Sequence, residues 1–174
     1  MVKVGELAPI FRDVAAYHKG DFNKVSLQDY QKKWLILFFY PRDFTFVCPT
    51  EIEEFGRMEK EFEGCNCAIL ACSTDSEWSH KNWFETDERL KHIQYPILAD
   101  TNHEISTAYN ILETDGSAQR GTFIIDPVGT VRWINISDNS VGRSVKEVFR
   151  SLKALQSGGL CPVEWMPGEK TLGK

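Results

Sequence analysis

The sequence predicts an α/β fold in which a mixed sheet has helices on both faces. Residues 35–39 and residues 67–73 are apolar without strict alternation, which indicates strands that are buried on both sides. Apolar residues at helical spacing follow each of these runs, and residues 121–135 have the pattern of a hairpin. Strands that alternate with helices and end in a hairpin are typical of a mixed sheet covered by helices.

The first predicted element along the chain is a β-hairpin. Phe11, Val14 and Ala16 belong to an alternating stretch that ends at a Lys-Gly-Asp turn, residues 19–21. The strand at residues 35–39 comes next. We expect it in the middle of the sheet, because both of its faces are apolar.

A helix is predicted to begin at Cys48. Apolar side chains recur at helical spacing as far as Phe62, and Gly64 supplies the stop. Ser76 is the predicted N-cap of the next helix. The remaining elements are a strand at residues 96–100, a short helix at residues 103–109 and a last helix at residues 145–155.

Length and charge limit the class of protein. The 174 residues, 42% of them hydrophobic, predict a single domain over residues 1–174. The net charge of −5 comes without a lysine and arginine cluster, which argues against nucleic acid and membranes as partners. No apolar run approaches the ~20 residues of a membrane span, and residues 1–6 lack a signal-peptide core, so we expect a cytoplasmic protein.

The five cysteines are odd in number and unevenly spaced, which does not fit a secreted disulfide framework. Cys65, Cys67 and Cys72 lack the second cysteine or histidine pair of a zinc site, so we expect no bound metal. We interpret Cys67 and Cys72 as filler in a buried strand. The histidines, which no motif places, are interpreted as surface groups; they are His18, His80, His92 and His103.

One cysteine has the surroundings of a nucleophile. Pro41 ends a strand and Pro49 fits the first helical turn, so the strand delivers Cys48 to a helix N-terminus. Backbone N–H groups and the helix dipole favour the thiolate there. Because the dipole contributes only about 0.3–1 kcal/mol, we expect an arginine and further donors, such as the Thr45 hydroxyl, near the sulfur. A buried, inert cysteine is the alternative.

The longer motif decides between these alternatives. Pro41, Thr45 and Cys48 form the pattern Pro-x-x-x-Thr-x-x-Cys, which closely resembles the peroxidatic-cysteine motif of the peroxiredoxins. Residues 159–162, Gly-Leu-Cys-Pro, together with Trp165 resemble the resolving-cysteine segment of typical two-cysteine members, the peroxidase subunit of alkyl hydroperoxide reductase. This resemblance covers nearly the whole chain. It implies a thioredoxin-like fold with an N-terminal β extension, a core to about residue 157 and a C-terminal tail from about residue 158 that carries the resolving cysteine.

The resemblance also implies a role for each site residue. Cys48 would attack the peroxide with help from Thr45, and Cys161 would resolve the product as a disulfide between subunits. Arg120 opens the pattern Arg-x-x-Phe-Ile-Ile-Asp and would supply the cation beside the sulfur; a surface arginine at a strand end is the alternative. Glu51 would orient arginine side chains rather than act as a base.

These features predict a thiol-dependent peroxidase. Cys48 would take one oxygen from hydrogen peroxide or an organic hydroperoxide, become a sulfenic acid and condense with Cys161. No cofactor is expected, because the sulfur itself does the redox chemistry. A disulfide oxidoreductase is disfavoured, because Glu51 stands where a Cys-x-x-Cys motif has its second cysteine. A redox-switched oligomeric holdase or a peroxide-signalling protein is the alternative from another class.

Partners follow from the same resemblance. An external dithiol, either thioredoxin or an NAD(P)H-dependent flavoprotein reductase, would reopen the disulfide. A homodimer is expected, closed in this family into a ring of five dimers, with Phe44 and Trp78 as candidate contacts. Resistance to over-oxidation is expected too, because the Gly-Gly-Leu-Gly insertion and the Tyr-Phe helix of peroxide-sensitive members have no match in this sequence.

Overall fold

A computed structural model describes residues 2–173, and its central feature is a mixed β-sheet. Within that range the strands are β1 Val14–His18, β2 Asp21–Val25, β3 Trp34–Phe39, β4 Cys67–Ser73, β5 Ile97–Ala99, β6 Arg120–Ile125 and β7 Val131–Ser137. They form one sheet in the order β2-β1-β5-β4-β3-β6-β7. The helices are α1 Cys48–Arg57, α2 Glu59–Gly64, α3 Glu77–Thr86, α4 Glu104–Ala108 and α5 Val145–Ser157, with a 3₁₀ turn at Leu27–Tyr30. The predicted mixed α/β architecture is confirmed.

The chain divides into two compact units, residues 1–143 and residues 144–174. The first unit holds the whole sheet and the helices α1 to α4. The second holds α5 and the segment that follows it.

The strand β3 lies inside the sheet, as predicted. It pairs in parallel with β4, where Phe38 lies opposite Ala71, and antiparallel with β6, where Leu37 lies opposite Phe123. Residues 35–40 are almost completely buried. Because Pro41 has no backbone N–H to donate, the pairing of β3 stops there and the chain leaves the sheet toward α1.

Both predicted hairpins form. In the first, Tyr17 pairs with Phe22 across a turn in which Lys19 and Gly20 have φ of 54° and 92°. This is the conformation that two-residue hairpin turns require. In the second, the Asp126 carboxylate accepts hydrogen bonds from the backbone N–H groups of the turn, at 3.1 Å from Val128 and 2.9 Å from Thr130.

The helix predicted from Cys48 onward is wrong at one point, since it is broken at Met58. Met58 has φ −95° and ψ 6°, and it separates α1 from α2. Just before the break, a Cβ on Gly56 would lie 2.3 Å from Ile93 Cδ1, so only glycine allows this close approach. The apolar spacing continues across the break because Phe62 on α2 is fully buried, as is Phe55 on α1.

The second unit consists of a capped helix and a returning segment. Ser144 accepts a hydrogen bond from the Glu147 N–H at 3.2 Å, and α5 ends at Gly158 with φ 65°. Beyond the helix, Leu160 pairs with Leu172 in an isolated antiparallel bridge. The segment between them is therefore folded back on itself.

Candidate active site

Cys48 is the first residue of α1, where the chain arrives from β3. Pro49 occupies the first helical turn, and the backbone N–H groups of Thr50 and Glu51 both point to the Val47 carbonyl, at 3.1 and 3.4 Å. The Cys48 residue is only 1% exposed to solvent. Its sulfur therefore lies at the positive end of a helix dipole and is shielded from bulk water.

Arg120, at the start of β6, lies beside this sulfur. Its Nη1 donates to Cys48 Sγ at 3.4 Å and to Glu51 Oε2 at 2.7 Å, while its Nε donates to the Asn139 carbonyl at 3.0 Å. Arg120 is 3% exposed, so these interactions are not screened by solvent. The structure thus places a buried guanidinium where the sequence required a cation, rather than a surface arginine at a strand end.

Glu51 is held between two arginines. Arg143 binds it through the backbone N–H at 2.8 Å, through Nε at 2.9 Å and through Nη2 at 3.2 Å. Arg120 binds it from the other side. Two buried cations and one carboxylate leave one formal positive charge beside the Cys48 sulfur.

Arg143 is a site residue that the sequence interpretation missed. Besides Glu51, it donates to the backbone carbonyls of Phe39 at 2.5 Å and Gly121 at 3.0 Å, and to the Thr122 hydroxyl at 2.9 Å. It therefore ties the end of β3 to β6 and α1. No motif of the sequence marks Arg143, and the tight space at the preceding Gly142, where a Cβ would lie 3.3 Å from Val47 Cγ1, is visible only in the structure.

The loop between β3 and α1 is strained. Phe44 has φ 55°, the left-handed region that a bulky side chain rarely occupies. The sequence predicted the Thr45 hydroxyl as a donor to the sulfur. In this structure the hydroxyl instead donates to the Arg42 carbonyl, at 2.9 Å. Pro41 is half-buried at the start of the loop. Arg42 bonds the Asp115 carboxylate at 3.1 Å, but both side chains are exposed.

The prediction that all histidines are surface groups is wrong for His80. This side chain is fully buried on α3, and its Nδ1 lies 2.8 Å from Asp43 Oδ2 in the loop before Cys48. The reason for the error is that the buried surroundings of His80 come from distant segments. His92 is exposed, and His18 and His103 are half-buried.

Cys161 belongs to the second unit and is half-buried. Its sulfur lies 3.4 Å from Ser157 Oγ and 3.7 Å from the Ala154 carbonyl, both at the end of α5. Trp165, 4% exposed, holds the segment in place, because its carbonyl accepts a hydrogen bond from Arg150 Nη1 at 3.1 Å. Cys161 is thus a free thiol whose sulfur lies against the C-terminal end of α5.

The other free thiols have different surroundings. Burial raises the pKa of Cys67, and burial together with the Asp100 charge raises that of Cys72, which keeps both as thiols in β4. Within residues 2–173, no group of three or more His, Cys, Asp or Glu side chains is arranged to hold a metal. In the same range, none of the helices is both long and apolar enough to cross a bilayer.

Known proteins resemble this chain along most of its length. A model of the AhpC/TSA family matches residues 4–134. A thioredoxin peroxidase of Trypanosoma brucei rhodesiense is 48% identical over 178 residues, which cover 98% of this chain and 89% of the relative. The reduced 2-Cys peroxiredoxin of Plasmodium vivax has a similar structure, with a TM-score of 0.94 and 34% identity over 98% of this chain and 93% of the other. For Mycobacterium tuberculosis AhpC the TM-score is 0.87, with 38% identity over 95% and 99%.

Proposed function

The chain belongs to the AhpC/TSA family of peroxiredoxins, and from this premise we propose that Cys48 attacks the peroxide and Cys161 resolves the product. The protein is a thiol-dependent peroxidase with a thioredoxin-like fold, an oxidoreductase whose substrate is a hydroperoxide and whose reductant is a thiol. What is proposed here is the assignment of each step to residues of this chain.

The observation that carries the proposal is the contact between Arg120 Nη1 and Cys48 Sγ at 3.4 Å. The Cys48 thiolate attacks the terminal oxygen of the hydroperoxide, and the O–O bond breaks. The other oxygen leaves as hydroxide or alkoxide and takes a proton to become water or alcohol. Sulfur is oxidised by two electrons to a sulfenic acid. The Arg120 guanidinium stabilises the negative charge that moves from sulfur to oxygen during this step.

The second step joins two sulfurs. The Cys161 thiol condenses with the Cys48 sulfenic acid, which releases water and forms a disulfide. An external dithiol then exchanges with the disulfide and restores both thiols. We assign this exchange to thioredoxin or to an NAD(P)H-dependent flavoprotein reductase, in a cytoplasmic setting that would keep the five free thiols reduced.

The proposed disulfide joins two subunits of a homodimer, and five dimers close into a ring. Exposed aromatic groups on the Cys48 loop and on the adjoining α3 support an interface there, because clustered exposed apolar groups, unlike single ones, mark interaction sites. Phe44 is 56% exposed, Phe46 91% and Trp78 65%.

The experiment separates the two cysteines by kinetics. Cys48→Ser is expected to abolish turnover of peroxide with a dithiol reductant. Cys161→Ser is expected to consume one equivalent of peroxide and then to stop, because no disulfide forms. Cys65→Ser serves as the control with a wild-type rate. Steady-state turnover by Cys48→Ser, or full thioredoxin-dependent turnover by Cys161→Ser, would contradict the assignment.

A further inference from the structure

A largely buried polar cluster joins the loop before Cys48 to α3, through Asp43 and His80. The side chains of Asp43 and His80 are 1% and 0% exposed and lie 2.8 Å apart through Oδ2 and Nδ1. The Tyr40 hydroxyl donates to Asp43 Oδ1 at 2.8 Å, and the Ser79 hydroxyl donates to Oδ2 at 2.8 Å. We call these four side chains the Asp43–His80 anchor. None of them takes part in the proposed chemistry.

The hydrogen bonds place one hydrogen at each contact of the anchor. His80 Nε2 lies 3.1 Å from the Leu98 carbonyl, which can only accept, so this nitrogen carries a hydrogen. Burial, followed by the Asp43 charge, raises the pKa of Tyr40 well above its ordinary value, so the phenol keeps its hydrogen and donates. Asp43 therefore accepts from Tyr40 and Ser79 and shares one further hydrogen with His80 Nδ1.

The other charged group at the anchor is Asp75. Its Oδ2 accepts from the Asp43 backbone N–H at 2.9 Å and from the Ser73 hydroxyl at 2.8 Å. Asp43 is therefore held through its side chain to α3 and through its backbone to the end of β4. These are rigid elements of the first unit.

The anchor acts at the point where the loop is strained. Asp43 immediately precedes Phe44, whose left-handed backbone persists only if the surroundings fix it. The alternative support, the ion pair between Arg42 and Asp115, has side chains that are 46% and 63% exposed and so contributes little. The buried anchor is consequently the stronger of these two restraints on the folded form of the loop.

We propose that Asp43 and His80 are positioning residues that set how readily the Cys48 loop unwinds after oxidation. This inference rests on the proposed roles of Cys48 and Cys161. Condensation requires the first turn of α1 to open, because the Cys48 sulfur is buried in the folded form. A strong anchor keeps the sulfenic acid in the folded pocket, where a second peroxide can oxidise it to sulfinic acid. A weak anchor releases it to Cys161.

Substitution at His80 tests this partition. His80→Leu leaves the buried Asp43 carboxyl group without its hydrogen bond to His80, which destabilises the folded loop relative to the open one. Condensation should then accelerate on the order of tenfold, the value of one charged hydrogen bond, and the sulfinic fraction should fall correspondingly. The rate of the first peroxide attack should change by a smaller factor.

Asp43→Asn is the matched variant that keeps the contacts. Its amide oxygen accepts from Tyr40, and its NH₂ group donates to Nδ1 of a neutral His80 and to the Ser79 oxygen. We expect condensation within about threefold of wild type, because both partners remain satisfied. His92→Leu, which removes an exposed histidine, controls for a general effect of the substitution.

The measurements are a rapid alkylation quench after one equivalent of peroxide, with mass spectrometry of the Cys48–Cys161 disulfide and of sulfinic Cys48. Thermal unfolding of each reduced variant is recorded in parallel, since a purely structural role would lower stability without moving the partition. If His80→Leu does not fold, Tyr40→Phe removes one donor to Asp43 and should shift the partition in the same direction by a smaller factor.

Two results would overturn the inference. One is a folded His80→Leu, or failing that Tyr40→Phe, whose condensation rate and sulfinic fraction equal those of His92→Leu. The other is an Asp43→Asn variant that accelerates condensation as much as His80→Leu does. A wild-type protein that forms no Cys48–Cys161 disulfide would instead refute the proposed function, so the two failures are distinguishable.

Discussion

Replacement of the two buried arginines of the site is expected to have opposite effects: Arg120→Ala should mainly lower the peroxide rate, and Arg143→Ala should mainly lower stability. Arg120→Ala removes a donor that contacts Cys48 Sγ, but Glu51 keeps its three hydrogen bonds from Arg143. Loss of such a donor costs about 2.7–4 kcal/mol of transition-state stabilisation, a hundredfold to a thousandfold in rate. Because the carboxylate remains paired, we expect the stability loss to be only about 1–3 kcal/mol.

Arg143→Ala reverses this order. It removes the larger share of the Glu51 hydrogen bonds and leaves the buried carbonyls of Phe39 and Gly121 without this donor. Glu51 stays paired with Arg120 in this variant, but more buried groups lose a hydrogen bond than in Arg120→Ala, at about 1–3 kcal/mol each, so Arg143→Ala should lose more stability. Its rate should fall less, since Arg120 remains beside the sulfur.

Two measurements test these expectations for Arg120→Ala and Arg143→Ala. Stopped-flow tryptophan fluorescence reports the reaction with peroxide, and urea unfolding reports the free energy of unfolding. Arg57→Ala removes an exposed arginine at the end of α1 and should stay within about 0.5 kcal/mol of wild type. A wild-type peroxide rate in Arg120→Ala would refute the placement of the site. An Arg143→Ala variant as stable as Arg120→Ala would refute the assignment of the structural role.

Three further outcomes are expected. Peroxide should convert wild type, but not Cys161→Ser, into a covalent dimer on a non-reducing gel; an oxidised protein that stays monomeric would contradict the intersubunit disulfide. Sulfinic Cys48 should stay scarce at sub-millimolar peroxide, because the Gly-Gly-Leu-Gly insertion has no match in the sequence, and mass spectrometry after turnover measures it. Burial raises the pKa of Cys67 above its ordinary 9.0, so the unfolded chain loses this proton at lower pH than the folded protein. Stability should therefore fall as the pH rises above about 9, and urea unfolding at neutral and alkaline pH should show a smaller fall in Cys67→Ala.

The strands were predictable because their signal is local. An apolar run without alternation indicates burial on both faces whatever surrounds it, and β3 and β4 confirmed this. The break at Met58 was not predictable by the same argument. Apolar spacing continues through it, and the close approach of Ile93 to Gly56, just before the break, comes from a segment that is far away in sequence.

Site residues were predictable from the sequence only where they belong to a recognisable motif. Arg120 was identified through its sequence pattern. Arg143 was missed because its partners are distant in sequence; Phe39, for example, lies 104 positions away. His80 was misplaced for the same reason. Its neighbours Ser79 and Lys81 are polar and indicate an exposed face, but Asp43 and the Leu98 carbonyl close over the ring from other elements. Burial of a polar group depends on partners that a local pattern does not contain.

A comparison of two buried cysteines shows that burial alone does not make a thiol reactive. Cys48 and Cys67 are almost equally buried, at 1% and 3% exposed. Burial alone opposes ionisation, and it is the main cause that raises the pKa of Cys67. What distinguishes Cys48 is therefore its surroundings: Arg120 Nη1 lies 3.4 Å from its sulfur, and the site keeps an excess positive charge after Glu51 is counted. Desolvation keeps Cys67 as a thiol. At Cys48 the same desolvation strengthens the attraction between the sulfur and the Arg120 guanidinium, because no water screens the two groups from each other.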